Sequence, residues 1–234
     1  MISNILILDT ETTDKIPGSA CLEVACTLYS VKYAAPIESY ATIFKSNENP
    51  AEAINHLSVD FLKECGRSNA LDGCWAVVKD LIELSDIIIA HQASFDKHFV
   101  PNEIGSLRPW VCSKHDLEWP LGRGGDDLLH LALAHNVGVV YAHRAMSDVD
   151  TLVRLFQRVQ NDFKDWDIQL ALKKAQRQKV FCEALVSYNE KDKAKESKFR
   201  WEPDRKRWVK VMFDEDRAAL TFKTKVLNEP FPEL

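Results

Sequence analysis

No apolar run in the chain approaches the ~20 residues needed to cross a bilayer, so a membrane span is not expected. A secretory signal is not expected either, because Asp9 and Glu11 break the first apolar segment almost at once. There is no Cys-x-x-Cys pair. The six cysteines (Cys21, Cys26, Cys65, Cys74, Cys112, Cys182) are scattered and read as reduced core residues or free thiols. Low-complexity tracts and internal repeats are absent, which removes linker-like and solenoid architectures. No polymerase or helicase motif is found. The cytoplasm is the expected compartment.

What remains is an ordinary folded composition. The 234 residues are 46% hydrophobic and 28% charged, enough for one sizeable domain and a small second one. The net charge of −5 is uneven: residues 1–166 hold 14 Lys/Arg against 23 Asp/Glu, and residues 167–234 hold 16 against 12. An acidic first part is a poor match for a polyanion unless bound cations neutralise some of its carboxylates.

Apolar patterning predicts a buried strand over 4–9, further strands over 22–30 and 39–45 divided by a turn near Pro36, and helices over 51–65 and 70–84. "DIIIA" (86–90) and "WVCS" (110–113) read as two more strands, with helical patterns near 126–136 and 146–163. In the last of these Val149, Leu152, Val153 and Phe156 recur at i, i+3, i+4, i+7. Clustered strands followed by strands alternating with helices predict an α/β fold with a mixed sheet flanked by helices. Beyond about residue 164 the character changes to a polar helical connector (166–178) and a small basic C-terminal α+β module (179–234), including a hairpin around Glu202-Pro203-Asp204. Residues 1–165 form the expected main domain.

The segment "ILILDTETTD" (5–14) runs four aliphatic residues into two carboxylates two positions apart. On a strand, Asp9 and Glu11 share one face, at the end where α/β sheets commonly place their sites. On its own such a pair fits a solvated turn as well as a metal site. A second aliphatic run ends in "AHQASFDKHF", with Asp96 after Phe95. "HRAMSDVDTL" brings His143 and Asp148 at the start of an apolar-faced helix, where an acid also suits N-terminal capping.

Together, "DTETTD", "HQASFD" and "HRAMSD" resemble the three motifs of the DnaQ-like (DEDDh) 3′–5′ exonuclease family, over about residues 4–160. The overall arrangement is similar to its proofreading-subunit and exonuclease X-like members. The resemblance implies a ribonuclease H-like core and catalytic residues Asp9, Glu11, Asp96, His143 and Asp148. It also implies two divalent cations, Mg²⁺ with Mn²⁺ able to substitute, held by Asp9, Glu11, Asp96 and Asp148. Such a pair can activate a water and stabilise a leaving 3′-oxygen, with His143 suited to take the water's proton. Nucleic acid is the implied partner, with a single-stranded or frayed DNA 3′ end as first substrate and nucleoside 5′-monophosphates as products. RNA stays open, as does a non-catalytic adaptor associated with a polymerase.

By the same resemblance Thr12, Leu57 and Phe95 touch the terminal nucleotides, although Leu57 and Phe95 suit a core equally well. Departures from the pattern are Asp14 in place of glycine, Gln92 in place of asparagine, and Asn55 in place of histidine within "AINHLS". His115, Asp116, His130 and His135 lack zinc-ligand spacing and read as structural or surface residues, and Glu23 reads as structural. In "KFRWEPDRKRWVK", Trp201 and Trp208 lie among six cations, a pattern that fits either a packed hairpin or a single-strand-binding face.

Overall fold

A computed structural model describes residues 1–229 apart from Pro17, Asp72, Arg123 and Asp126. The chain divides into two compact units, the first spanning Met1–Gln176 and the second beginning at Arg177.

The first unit is built on β1 (Asn4–Thr12), β2 (Cys21–Ser30), β3 (Ala35–Ile43), β4 (Ile87–Ala90) and β5 (Trp110–Cys112), in the spatial order β3-β2-β1-β4-β5. The pairs β1–β2 and β2–β3 are antiparallel, whereas β1–β4 and β4–β5 are parallel. The helices are α1 (Glu52–Asn55), α2 (Val59–Cys65), α3 (Cys74–Glu83), α4 (Ala93–Phe99), α5 (Asn102–Gly105), α6 (Leu128–Ala134), α7 (Ala145–Asp162) and α8 (Ile168–Ala175). The result is a mixed sheet flanked by helices.

β1 is a continuous aliphatic run because both its faces are covered. Ile5 and Ile7 join one core with Val149, Leu152, Val153 and Phe156 of α7. Leu6 and Leu8 join the other, with Trp75, Val78 and Ile82 of α3. The helical spacing read over 146–163 is therefore the buried stripe of α7. The segment expected to connect two domains contains α8, whose Ile168, Ala171, Leu172 and Ala175 belong to the first of these cores.

Two local expectations are corrected. The turn between β2 and β3 falls at residues 31–34, with Ala34 at φ 50°. Pro36 instead lies inside β3, opposite Tyr29 at a register shift. A proline is tolerated there because β3 is the sheet edge and needs no complete ladder. The helix expected over 51–65 is broken, since His56 adopts φ 58° and separates α1 from α2. The helix expected near 126–136 is α6, with Asp126 outside the described residues.

The second unit has strands β6 (Lys179–Leu185), β7 (Arg200–Glu202), β8 (Arg207–Phe213) and β9 (Lys223–Val226), with helix α9 (Lys191–Glu196). They form an antiparallel sheet in the order β7-β8-β6-β9. Alternation along β6 supplies one small core through Cys182 and Ala184, packed with Phe199 and Ala194, and another through Phe181, packed with Val209 and Leu227. β9 was not foreseen from the sequence. Among the described residues no helix is long and apolar enough to cross a membrane. The six cysteines are unpaired, all buried except Cys65.

Candidate metal centre

Parallel pairing of β1 with β4 brings their C-terminal ends to the same side of the sheet. There they meet the first turns of α4, which carries Asp96, and α7, which carries Asp148. An acid in a helix's first turn complements the positive end of the helix dipole. The place where these elements meet is a cleft of about 580 Å³ lined by Asp9, Glu11, Thr12, Phe95, Asp96, His143 and Asp148 among others.

Three of the carboxylates converge. Ligand oxygens of Asp9, Glu11 and Asp148 all lie within 4.8 Å of one another. Asp96 is buried beside them but outside that group. Its Oδ1 accepts the Thr10 backbone N–H at 3.0 Å and the Thr10 hydroxyl at 2.9 Å. Asp148 Oδ2 accepts the His143 backbone N–H at 3.1 Å. His143 has φ 60°, a left-handed conformation uncommon for a residue with a side chain. That turn of the chain lets its N–H reach Asp148, and the ring is left exposed on the cleft.

The crowding appears in the proton affinities. Burial first, then the charges of Asp96, Asp148 and Glu11, raises the Asp9 carboxyl well above the usual carboxylate range. Burial, followed by Asp148 and Glu23, lifts Glu11 to about 8. Asp96 is pushed to about 7 by burial against the opposing pull of its Thr10 hydrogen bonds. Asp148 rises to about 6, again through burial, against the His143 N–H. Carboxylates gathered this closely with so little compensation suit a cation. The donor set is all oxygen, which fits hard divalent ions.

A fifth acid is compensated. Glu23 on β2 stands opposite Glu11 in register. It accepts Arg144 Nε at 3.0 Å, the Arg144 terminal nitrogen at 3.1 Å, and the backbone N–H of Ala145 at 3.1 Å. These bonds tie the start of α7 to β2, and so position His143 and Asp148 relative to β1. No catalytic or binding role for Arg144 was expected from the sequence. The signal for its partnership was an acid in an otherwise apolar strand.

The segment 49–57 forms one wall of the cleft. Asn55 is buried, donates to the Thr12 carbonyl at 3.3 Å, and accepts from Asn49 at 2.8 Å and from the Leu57 N–H at 3.1 Å. Thr12 is thereby fixed at the cleft, its hydroxyl donating to the Asp14 carbonyl at 2.7 Å. Phe95 lines the cleft and packs on Phe99, ring centroids 4.9 Å apart. Leu57 is not brought to the cleft: it is fully buried with Leu22 and Leu62. Ile54 of the same segment is half exposed and lines the cleft instead, as do Lys15 and Lys114. His135 is buried with Nδ1 on the Leu131 carbonyl, and Asp116 accepts the Cys112 N–H, both structural arrangements.

A family described as a domain of unknown function (DUF8626) matches residues 180–227. No curated protein matches the chain in sequence. Among solved structures, the zinc-bound complex of E. coli ExoI with single-stranded DNA is similar at a TM-score of 0.59 and 16% identity, covering 79% of this chain and 48% of that one. Apo Exonuclease I is similar at 0.53 and 15%, covering 79% and 50%. A 3′-exonuclease that recognises the histone mRNA stem-loop is similar at 0.52 and 12%, covering 69% and 64%. At these identities the likeness is one of fold. The chain spans about half the length of the Exonuclease I structures it matches.

Proposed function

We propose that this chain is a metal-dependent 3′–5′ exonuclease with a ribonuclease H-like core of the DEDDh kind, acting first on DNA with an unpaired 3′ end. The observation that carries the reading is the convergence of Asp9, Glu11 and Asp148 in one cleft of a fold shared with exonucleases. Asp9, Glu11 and Asp148, with Asp96 beside them, would hold one or two Mg²⁺ or Mn²⁺ ions. When bound, such ions supply charge neutralisation for an incoming phosphodiester and acidify a coordinated water.

The chain's own residues account for the rest. Glu23 and Arg144 hold the start of α7 so that Asp148 faces the end of β1. His143, on the cleft rim, takes the proton of the attacking water at a ring nitrogen. The water oxygen bonds to the phosphorus of the terminal nucleotide, the bond to the penultimate 3′-oxygen breaks, that oxygen takes a proton from solvent to become the new 3′-hydroxyl, and a nucleoside 5′-monophosphate departs while His143 returns its proton to solvent. The Asn49–Asn55 pair keeps Thr12 at the wall where a terminal nucleotide would lie, with Phe95 and Ile54 as apolar contacts for its base. Similarity to the stem-loop 3′-exonuclease supports RNA as the second substrate reading.

The test uses 5′-labelled DNA and RNA oligomers of matched sequence with unpaired 3′ ends, incubated with Mg²⁺ or Mn²⁺, beside EDTA and Asp9→Ala controls. A metal-dependent ladder shortening from the DNA 3′ end, absent in Asp9→Ala, is expected. A ladder on RNA alone keeps the chemistry and replaces the substrate. No shortening of either strand by folded protein overturns the enzymatic reading in favour of an adaptor.

A further inference from the structure

The second unit carries an aromatic and cationic face that the cleft chemistry leaves unused. In the β7–β8 hairpin Trp201 and Trp208 stand directly opposite one another, with ring centroids 5.3 Å apart. Trp208 packs against the Cys182, Ala184 and Phe199 core. Trp201 lies on the edge strand and is 42% exposed, so much of its ring is open to solvent.

Lys210, two residues after Trp208, shares that face of the sheet. Its ammonium donates to the Ser197 carbonyl at 2.8 Å, which places it beside Lys198. Burial and the Lys198 charge together hold Lys210 below the usual lysine range. Lys198 itself is exposed and has φ 60°, where the chain turns into β7.

The opposite face of the hairpin is electrically closed. Arg207 bonds to Glu202 at 2.7 Å and to Glu229 at 2.8 Å, and Arg205 also pairs with Glu229. Arg200 lies 4.0 Å from Glu202. Among the described residues no carboxylate lies within ion-pair distance of Lys198 or Lys210. One face therefore spends its cations on its own acids, whereas Lys210 shares the other with the exposed indole and stands close enough to Lys198 to feel its charge.

We propose that this face binds a single-stranded polynucleotide, with a base stacked on Trp201 and backbone phosphates on Lys198 and Lys210. An aromatic platform recognises a base only where the base is unstacked, as in a single strand, and cations beside it match the phosphates between successive bases. An acidic peptide would satisfy the lysines but has no planar group for the indole. The inference stands on the second unit alone and does not depend on the chemistry of the cleft.

The test reads binding without activity. Full-length protein carrying Asp9→Asn, in EDTA so that no strand is shortened, is titrated into 5′-fluorescent oligo(dT) and oligo(rU) of about 20 nucleotides, a length that spans the usual site sizes. Fluorescence anisotropy is measured at two salt concentrations. Trp201→Ala is expected to weaken binding roughly 5- to 100-fold, the loss of one stacking platform, and Trp201→Phe to recover most of it. Lys198→Ala is expected to lower the slope of log K against log salt by about 0.7, one phosphate contact on a single strand. Lys225→Ala on β9, at the far edge and on the opposite face, is expected to change nothing. Thermal unfolding of each variant establishes that it is folded, and should Trp201→Ala fail to fold, Trp201→Phe and Lys198→Ala carry the test. Binding to DNA, RNA or both supports the face and identifies the sugar it accepts. Folded variants that bind both strands as tightly as their parent overturn the proposal, whatever the cleft does.

Discussion

Replacing Glu11 with glutamine removes one negative charge from a crowded cleft while keeping the side chain's shape, and the metal-free variant is expected to be more stable than the wild type. Burial and the neighbouring acids raise the Glu11 carboxyl from 4.5 to about 8. A folded-state value above the unfolded one means that the folded chain binds more protons across this window. Stability is therefore lost as pH rises from about 4.5 toward 8, the reverse of an ordinary ion-paired acid. At 1.36 kcal/mol per unit, the ionised form near pH 7.5 carries a ceiling cost of about 4 kcal/mol. Glu11 is partly exposed, and solvent screening and relaxation reduce this to ~1–2 kcal/mol. For a unit of this size that is a rise of ~2–8 °C in Tm.

The assay is thermal unfolding of wild type and Glu11→Gln in EDTA at pH 5 and 7.5, repeated with Mg²⁺ or Mn²⁺. In EDTA the variant melts higher at pH 7.5 and the gap narrows at pH 5. With metal the wild type gains more than the variant, because a ligand that binds only the folded state stabilises it by mass action. A variant that melts at or below the wild type in EDTA at pH 7.5 would refute the claim that these carboxylates are uncompensated.

Three further outcomes are expected. His143→Ala should lower kcat of the proposed nuclease by ~10²–10⁴ while leaving the metal-induced rise in Tm in place, since the ring serves proton transfer and the backbone N–H still reaches Asp148. Loss of the metal response would show that His143 acts on the site's structure instead. Arg144→Met leaves the buried Glu23 carboxylate without its cation, with only the Ala145 N–H still donating to it; with Arg144 itself a third exposed, the cost in urea unfolding should be ~2–4 kcal/mol, and a change below ~1 kcal/mol would count the pair as a solvated one. Asn55→Ala leaves the Thr12 carbonyl, Asn49 and the Leu57 N–H without their shared partner. It should cost ~1–3 kcal/mol and speed amide exchange across 49–57; unchanged exchange there would remove Asn55 from the wall's support.

Why the cleft sits where it does follows from the sheet. A central strand covered on both faces is rigid along its length, and its last residues are the first that reach solvent. Side chains placed there are held by the core beneath them, through Leu6, Leu8, Ile5 and Ile7, and need little ordering of their own. The helices that deliver Asp96 and Asp148 are anchored by the same two cores, so the acids are brought together by packing and not by attraction for one another. Their raised proton affinities are the electrostatic record of that arrangement.

By itself the sequence determined whatever a short period encodes. The aliphatic run before Asp9 specified a strand buried on both faces, and alternation put Asp9 and Glu11 side by side on it. The 3.6-residue stripe through Val149 and Phe156 specified the buried face of α7. Only the tertiary structure decided what depends on partners far along the chain. It paired Glu23 with Arg144, tied Asp96 to Thr10, sent Leu57 into the core, and turned Ile54 toward the cleft. It also placed Pro36 on an edge, broke the helix at His56, and completed the second sheet with β9. Each of these depends on which elements lie beside one another, and hydrogen bonds and burial between distant residues leave no local period by which they could be read in advance.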